Sequence, residues 1–105
     1  MATLRLKAIV CFETEDNWGA DDAYIRVNEV TVWGPTKIND NQGMAINVDV
    51  AFTTSASISL WDKDDADPDD NLGTHVAWAA EAGKGEITAS YNADDCNYRI
   101  VYEVI

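Results

Sequence analysis

The chain has 105 residues, 47% apolar and 10% aromatic, and its 19 acidic against 7 basic residues give a net charge of −12. That length makes one domain, residues 1–105, with its own core, and the aromatic content excludes a disordered acidic segment. Seven Lys and Arg spread singly form no phosphate-tracking patch, which excludes direct nucleic-acid binding and disfavours adhesion to anionic membrane unless a bound cation reverses the local field.

The hydrophobic period is two, the mark of half-buried antiparallel strands. Leu4, Leu6, Ala8, Val10 and Phe12 alternate with Arg5, Lys7, Ile9, Cys11 and Glu13, predicting a first strand over about 3–12. Two further strands, about 23–27 and 30–33, flank Asn28-Glu29, placed as a two-residue hairpin turn would be. Gly34-Pro35 through Gln42-Gly43 reads as a loop by composition. A fourth strand covers about 44–52, with Ile46, Val48, Val50 and Phe52 as its apolar members, and a fifth about 56–61. Six aspartates then fall within the nine residues Asp62 to Asp70. The sixth strand follows over about 72–79; His75 to Ala82 is the only Ala-rich stretch that could compete as a helix, and it is short. After Gly83-Lys84-Gly85, strands over about 85–92 and 97–105 complete the chain, the last with Tyr98, Ile100, Tyr102 and Val104 facing one way. Trp33, Trp61 and Trp78 lie in strands and read as core. Eight short strands with regular turns predict an all-β fold, an eight-stranded antiparallel β-sandwich.

Strand parity sorts the loops. Those after odd-numbered strands share one end, and they hold Glu13, Glu15, Asp16, Asp21 and Asp22, then Asn39 to Gln42, then Asp62 to Asn71, then Asp94 and Asp95. The opposite end has only Glu29 and Glu81. Calcium accounts for such segregation, because it takes roughly six to eight oxygens from several segments at once. An EF-hand loop starting at Asp62 fails, with Ala66, Asp67 and Gly73 where an oxygen ligand, Gly and Glu are needed. Zinc lacks ligands, with two Cys and one His in the chain, and His75 reads as a plain strand residue. The competing account is a solubilising acidic surface that holds no metal.

These residues resemble a known family. Asp16 through Asp22, followed by Ala23 and Tyr24, is similar to the first calcium loop of C2 domains, the calcium- and lipid-binding modules of protein kinase C and synaptotagmins. Leu60-Trp61-Asp62-Lys63-Asp64 through Asp70-Asn71-Leu72-Gly73 is similar to their third loop. The resemblance covers about residues 4–78 and implies calcium ligands at Asp16, Asp22, Asp62, Asp64 and Asp70, for one or two ions. It implies too the permuted topology, in which the first strand runs straight into the first calcium loop and both termini lie opposite the metal. Asp65, Asp67 and Asp69 then sit behind the ligands or face solvent, the alternative being that one of them completes a second ion's shell. Ala23 stands where the family usually has Pro, and no Lys-rich strand of the phosphoinositide-binding kind is present. Trp18, at the tip of the first loop, either inserts into an interface once calcium is bound or packs over the loop base, the second being preferred.

Cys11 and Cys96 both fall at the acidic end, either bridged or as two free thiols. No nucleophile with a His partner, phosphate loop or Gly-x-Ser-x-Gly occurs, so the chain reads as a non-enzyme. Two classes of function follow. One is a calcium-dependent binding module whose ligand is anionic lipid or an extracellular protein or carbohydrate. The other is a structural or interaction domain whose loops calcium stiffens, or whose acidic loops only solubilise it. No stretch approaches the ~20 apolar residues of a membrane span, and Met1-Ala2-Thr3-Leu4 does not open as a signal peptide does. The acidity and the paired cysteines nonetheless favour an extracellular setting over a cytoplasmic one.

Overall fold

The structure, a computed structural model, describes residues 1–15 and 19–105. Alternating apolar residues that cannot be buried on one sheet alone are buried between two. One sheet has the order β4-β1-β8-β7, made by β1 (Ala2–Glu13), β4 (Gln42–Phe52), β7 (Ile87–Tyr91) and β8 (Asn97–Val104). The other has the order β3-β2-β5-β6, from β2 (Asp21–Val27), β3 (Val30–Ile38), β5 (Ser55–Asp62) and β6 (Asp70–Trp78). Every neighbouring pair is antiparallel. The antiparallel eight-stranded sandwich is therefore present as expected. Ala-rich 79–81 is a single 3-10 turn beyond β6, so the His75–Ala82 stretch is strand and turn and not a helix.

Three sequence expectations are corrected. The first concerns β1. Leu6 pairs with Tyr102 but Ala8 with Val101, so Lys7 is an extra residue, a β-bulge. A one-residue insertion reverses which side chains face inward. Leu4 and Leu6 are fully buried before the bulge; beyond it Ile9 and Cys11 are buried and Phe12 is 47% exposed. The apolar face of this strand is thus Leu4, Leu6, Ile9 and Cys11. Second, β3 does not end at Trp33. It continues through Gly34-Pro35 to Ile38, leaving only residues 39–41 between it and β4. Gly34 has φ +82 and approaches β2 so closely that a Cβ would sit 2.3 Å from the Ala23 carbonyl oxygen. A glycine at this bulge keeps the strand paired, where composition alone suggests a loop.

Third, the tryptophans are not the fully buried core: Trp33 is half-buried and packs against its edge, Trp61 is half-buried on the outer face and Trp78 is 51% exposed. Tyrosines take their place: Tyr91, Tyr98 and Tyr102 are buried among Leu4, Leu6, Ile25, Ile58 and Leu60. Each tyrosine rises from β7 or β8 and reaches a polar partner beyond its own sheet. Tyr91 donates to the Ile58 carbonyl at 3.0 Å, Tyr98 to Asp21 on β2, and Tyr102 to Glu81 at 3.1 Å, with His75 Nε2 2.9 Å from the same hydroxyl. A long ring with a terminal hydroxyl fits this use, because a buried O–H needs an acceptor that Phe does not.

Candidate metal centre

β5–β6 and β7–β8 are antiparallel hairpins, and the β1–β2 and β3–β4 connections, which cross between the sheets, meet them at the same end: the Thr14 amide bonds Asp40, and Glu15 lies with Asp21 and Asp62 and with Asp70 and Asp94. The oxygen-rich loops therefore share one end, as strand parity predicts. Among the described residues two carboxylates there are buried, Asp21 (1% exposed) and Asp62 (3%). Asp21 shares its face of β2 with buried Ala23, Ile25 and Val27; Asp62 shares its face of β5 with Ala56, Ile58 and Leu60. The two meet where both inward faces reach the loops, at the Ala23–Asp62 pairing.

One oxygen from each of Glu15, Asp21 and Asp62 lies within 4.8 Å of the others, and a second group, Glu15, Asp70 and Asp94, shares Glu15 with the first. Two carboxylate charges 4.8 Å apart at the edge of a protein repel by roughly 3 kcal/mol. Backbone amides offset part of this. Asp21 Oδ2 accepts from the Glu15 amide at 3.0 Å, Asp62 Oδ1 from the Asp22 amide at 2.8 Å, Asp40 from the Thr14 amide at 2.9 Å and Asp69 from the Asp64 amide at 3.0 Å. Tyr24 adds a 2.5 Å hydrogen bond to Asp69, holding that carboxyl below its ordinary range. The same bond, after burial, pushes the Tyr24 phenol up to about 12.

The five residues singled out in the sequence are distributed as follows. Asp16 lies outside the described residues, as does Trp18. Asp62 is in the first group and Asp70 in the second. Asp64 is exposed on the β5–β6 loop. Asp22 turns to the outer face of its sheet, 3.9 Å from Lys37 Nζ, and its neighbour Asp21 joins the group. Asp21, Glu15 and Asp94 also lie in these groups, beyond the residues that the loop spacing singles out. Asp21 was findable, because it has the same parity as Ala23, Ile25 and Val27.

The donor set tests which metal these residues suit. All are carboxylate oxygens, and oxygens sharing one calcium at about 2.3–2.6 Å lie no more than about 5 Å apart, which the 4.8 Å limit meets. Soft metals are poorly served. Cys11 and Cys96 are buried free thiols, pushed up by burial to about 11 and about 12 and so held protonated. They are unbridged, against the disulfide alternative. His75 lies away from the cluster, on the inner face of β6 opposite Ile58.

Sheet order, loop polarity and termini opposite the acidic end point to one fold. The chain matches the solved structure of a C2 domain with a TM-score of 0.62 and 16% identity, over 99% of this chain and 98% of that one. This chain has the C2 fold. The C2A domain of plant extended synaptotagmin 1 matches with a TM-score of 0.55 and 15% identity over 98% of this chain and 90% of that domain. Human GIVD cytosolic phospholipase A2, in complex with methyl gamma-linolenyl fluorophosphonate inhibitor and terbium chloride, matches with a TM-score of 0.64 and 14% identity. That match covers 99% of this chain and 17% of the phospholipase, so this C2-like chain spans about a sixth of that enzyme's length. No protein-family model and no curated protein sequence matches the chain. Among the described residues no helix is long and apolar enough to cross a membrane.

Proposed function

We propose that this C2-like domain is a non-catalytic calcium-binding module, holding one or two Ca²⁺ ions among the carboxylates of its loop end. The observation that carries this reading is the convergence of Glu15, Asp21 and Asp62, two of them buried, within 4.8 Å. Asp70 and Asp94, with Glu15, would hold a second ion, and Asp16, Asp22 and Asp64 are the further oxygens that the sequence resemblance adds. The cation would neutralise the carboxylates and bridge the domain to a ligand through an open coordination position. Terbium, present with the phospholipase of similar fold, is a hard oxygen-seeking cation of the same kind.

The ligand would be met at the loop end and not on the sheet face. On β1, Arg5 is engaged by Asp49 at 3.0 Å and Lys7 by Glu86 at 2.6 Å, so these cations are already paired. Anionic lipid, protein and carbohydrate each remain open as ligands of a cation-bridged site. An extracellular setting is part of the same proposal, though the unbridged cysteines remove one of its supports.

A structural reading is favoured by a separate observation: Asp21, Asp40, Asp62 and Asp69 each accept a backbone amide. Loops tied down in this way would serve a domain whose acidic surface only solubilises it. Thermal unfolding separates the two. A site filled to ten times its dissociation constant adds about 1.4 kcal/mol, or about 5 °C or more for a domain of this size. The midpoint should rise by that amount in millimolar calcium, and stay put in the Asp62→Asn/Asp70→Asn variant. An unmoved midpoint in the native chain would falsify the calcium reading. Sedimentation with phosphatidylserine vesicles, with and without calcium, then tests the lipid ligand.

A further inference from the structure

Of the three tyrosines that reach across the sandwich, one ends on the candidate metal centre. Tyr98 is fully buried on β8, beside Cys11 on β1, and its hydroxyl donates to Asp21 Oδ2. The same oxygen accepts the Glu15 amide at 3.0 Å.

Two donors on one carboxylate oxygen fix its rotation, since turning it would break both bonds where water cannot replace them. A hydrogen bond to an ionised acceptor is also about twice as strong as a neutral one. We propose that Tyr98 is the positioning residue of the cation site, holding the Asp21 carboxylate oriented before a cation arrives. This rests on the calcium reading above. Tyr91 provides the internal comparison: it is equally buried on the neighbouring strand, but its hydroxyl donates to a backbone carbonyl, that of Ile58.

Calorimetric titration of the 105-residue chain with calcium chloride tests the role in three proteins: wild type, Tyr98→Phe and Tyr91→Phe. Both variants lose one buried hydroxyl, so both should unfold several degrees lower without calcium. Only Tyr98→Phe should weaken calcium binding, by about tenfold, as expected for one hydrogen bond to a charged group. Tyr91→Phe should stay within about twofold of wild type. Wild-type affinity in Tyr98→Phe, or equal weakening in both variants, overturns the positioning role and leaves calcium binding standing. A wild type that shows neither heat nor a midpoint shift overturns calcium binding and this role together. Should Tyr98→Phe fail to fold, the hydroxyl proton of Tyr98 in wild-type protein is followed by NMR. It should shift along the calcium saturation curve, and a proton that stays still through saturation overturns the role.

Discussion

Asp21 and Asp22 are neighbours in sequence and opposites in environment. Successive side chains of a strand point to opposite faces, so Asp21 enters the interior with Ala23 and Ile25 while Asp22 stands beside Lys37. The loop spacing that singles out Asp22 is a pattern of residue types; the period-two rule, applied to the same segment, selects Asp21. Glu29 poses a second residue-scale question. The Asn28-Glu29 turn forms as expected, with φ of 48° and 68°. Asn28 tolerates this left-handed region and is further tied to β5, its Oδ1 accepting the Ser57 amide at 2.9 Å. Glu29 has no such excuse and carries the steric cost of a Cβ there. Replacing it, Glu29→Gly, should stabilise the domain by about 0.5–1 kcal/mol, measured as a higher urea midpoint at unchanged slope.

At the scale of elements, the bulge at Lys7 matters most. It makes Ile9 a core residue and Phe12 a surface one, reversing what the alternation in the sequence implies. Ile9→Ala should cost about 2–4 kcal/mol in chemical denaturation, and Phe12→Ala less than about 1 kcal/mol. The opposite ranking would show that the strand runs without the bulge. The strands themselves were legible because alternation is a property of every residue in them. The bulges at Lys7 and Gly34 were not, because each depends on what the neighbouring strand offers. Likewise, Trp61 has the residue type of a core side chain, yet on β5 it has the parity of Ser57 and Ser59. There it stacks 6.2 Å from Tyr24, with the Arg26 guanidinium 5.7 Å above its ring, on the outer face of the sheet.

For the molecule as a whole, the buried tyrosines, with the buried thiols of Cys11 and Cys96, set the alkaline limit. Burial, the leading cause in each case, raises Tyr91, Tyr98 and Tyr102 above the ordinary phenol value. The folded state therefore holds protons that the unfolded state releases from about pH 10 upward. Their contribution is complete below that pH and is lost as pH climbs toward the raised folded values. Stability measured by urea unfolding should begin to fall near pH 9, where the unfolded state's Cys11 and Cys96 thiols ionise, and fall more steeply above about pH 10 as the phenols follow. Replacing Tyr91 with Phe should make that fall shallower. A slope unchanged by the replacement would mean that these phenols are not the protons involved.

The pairing of the chain's two ends carries a mechanical consequence. Thr3 and Ile105 exchange backbone hydrogen bonds of 2.9 and 2.8 Å, and β1 and β8 run on from there side by side. A tension applied between those ends pulls across the ladder instead of along it. The bonds joining β1 to β8 then bear the load one rung at a time, from Leu4–Val104 inward, as teeth do in a zip fastener. Low force suffices to open such a seam, and the acidic loops, at its far end, are the last part of it to feel the strain.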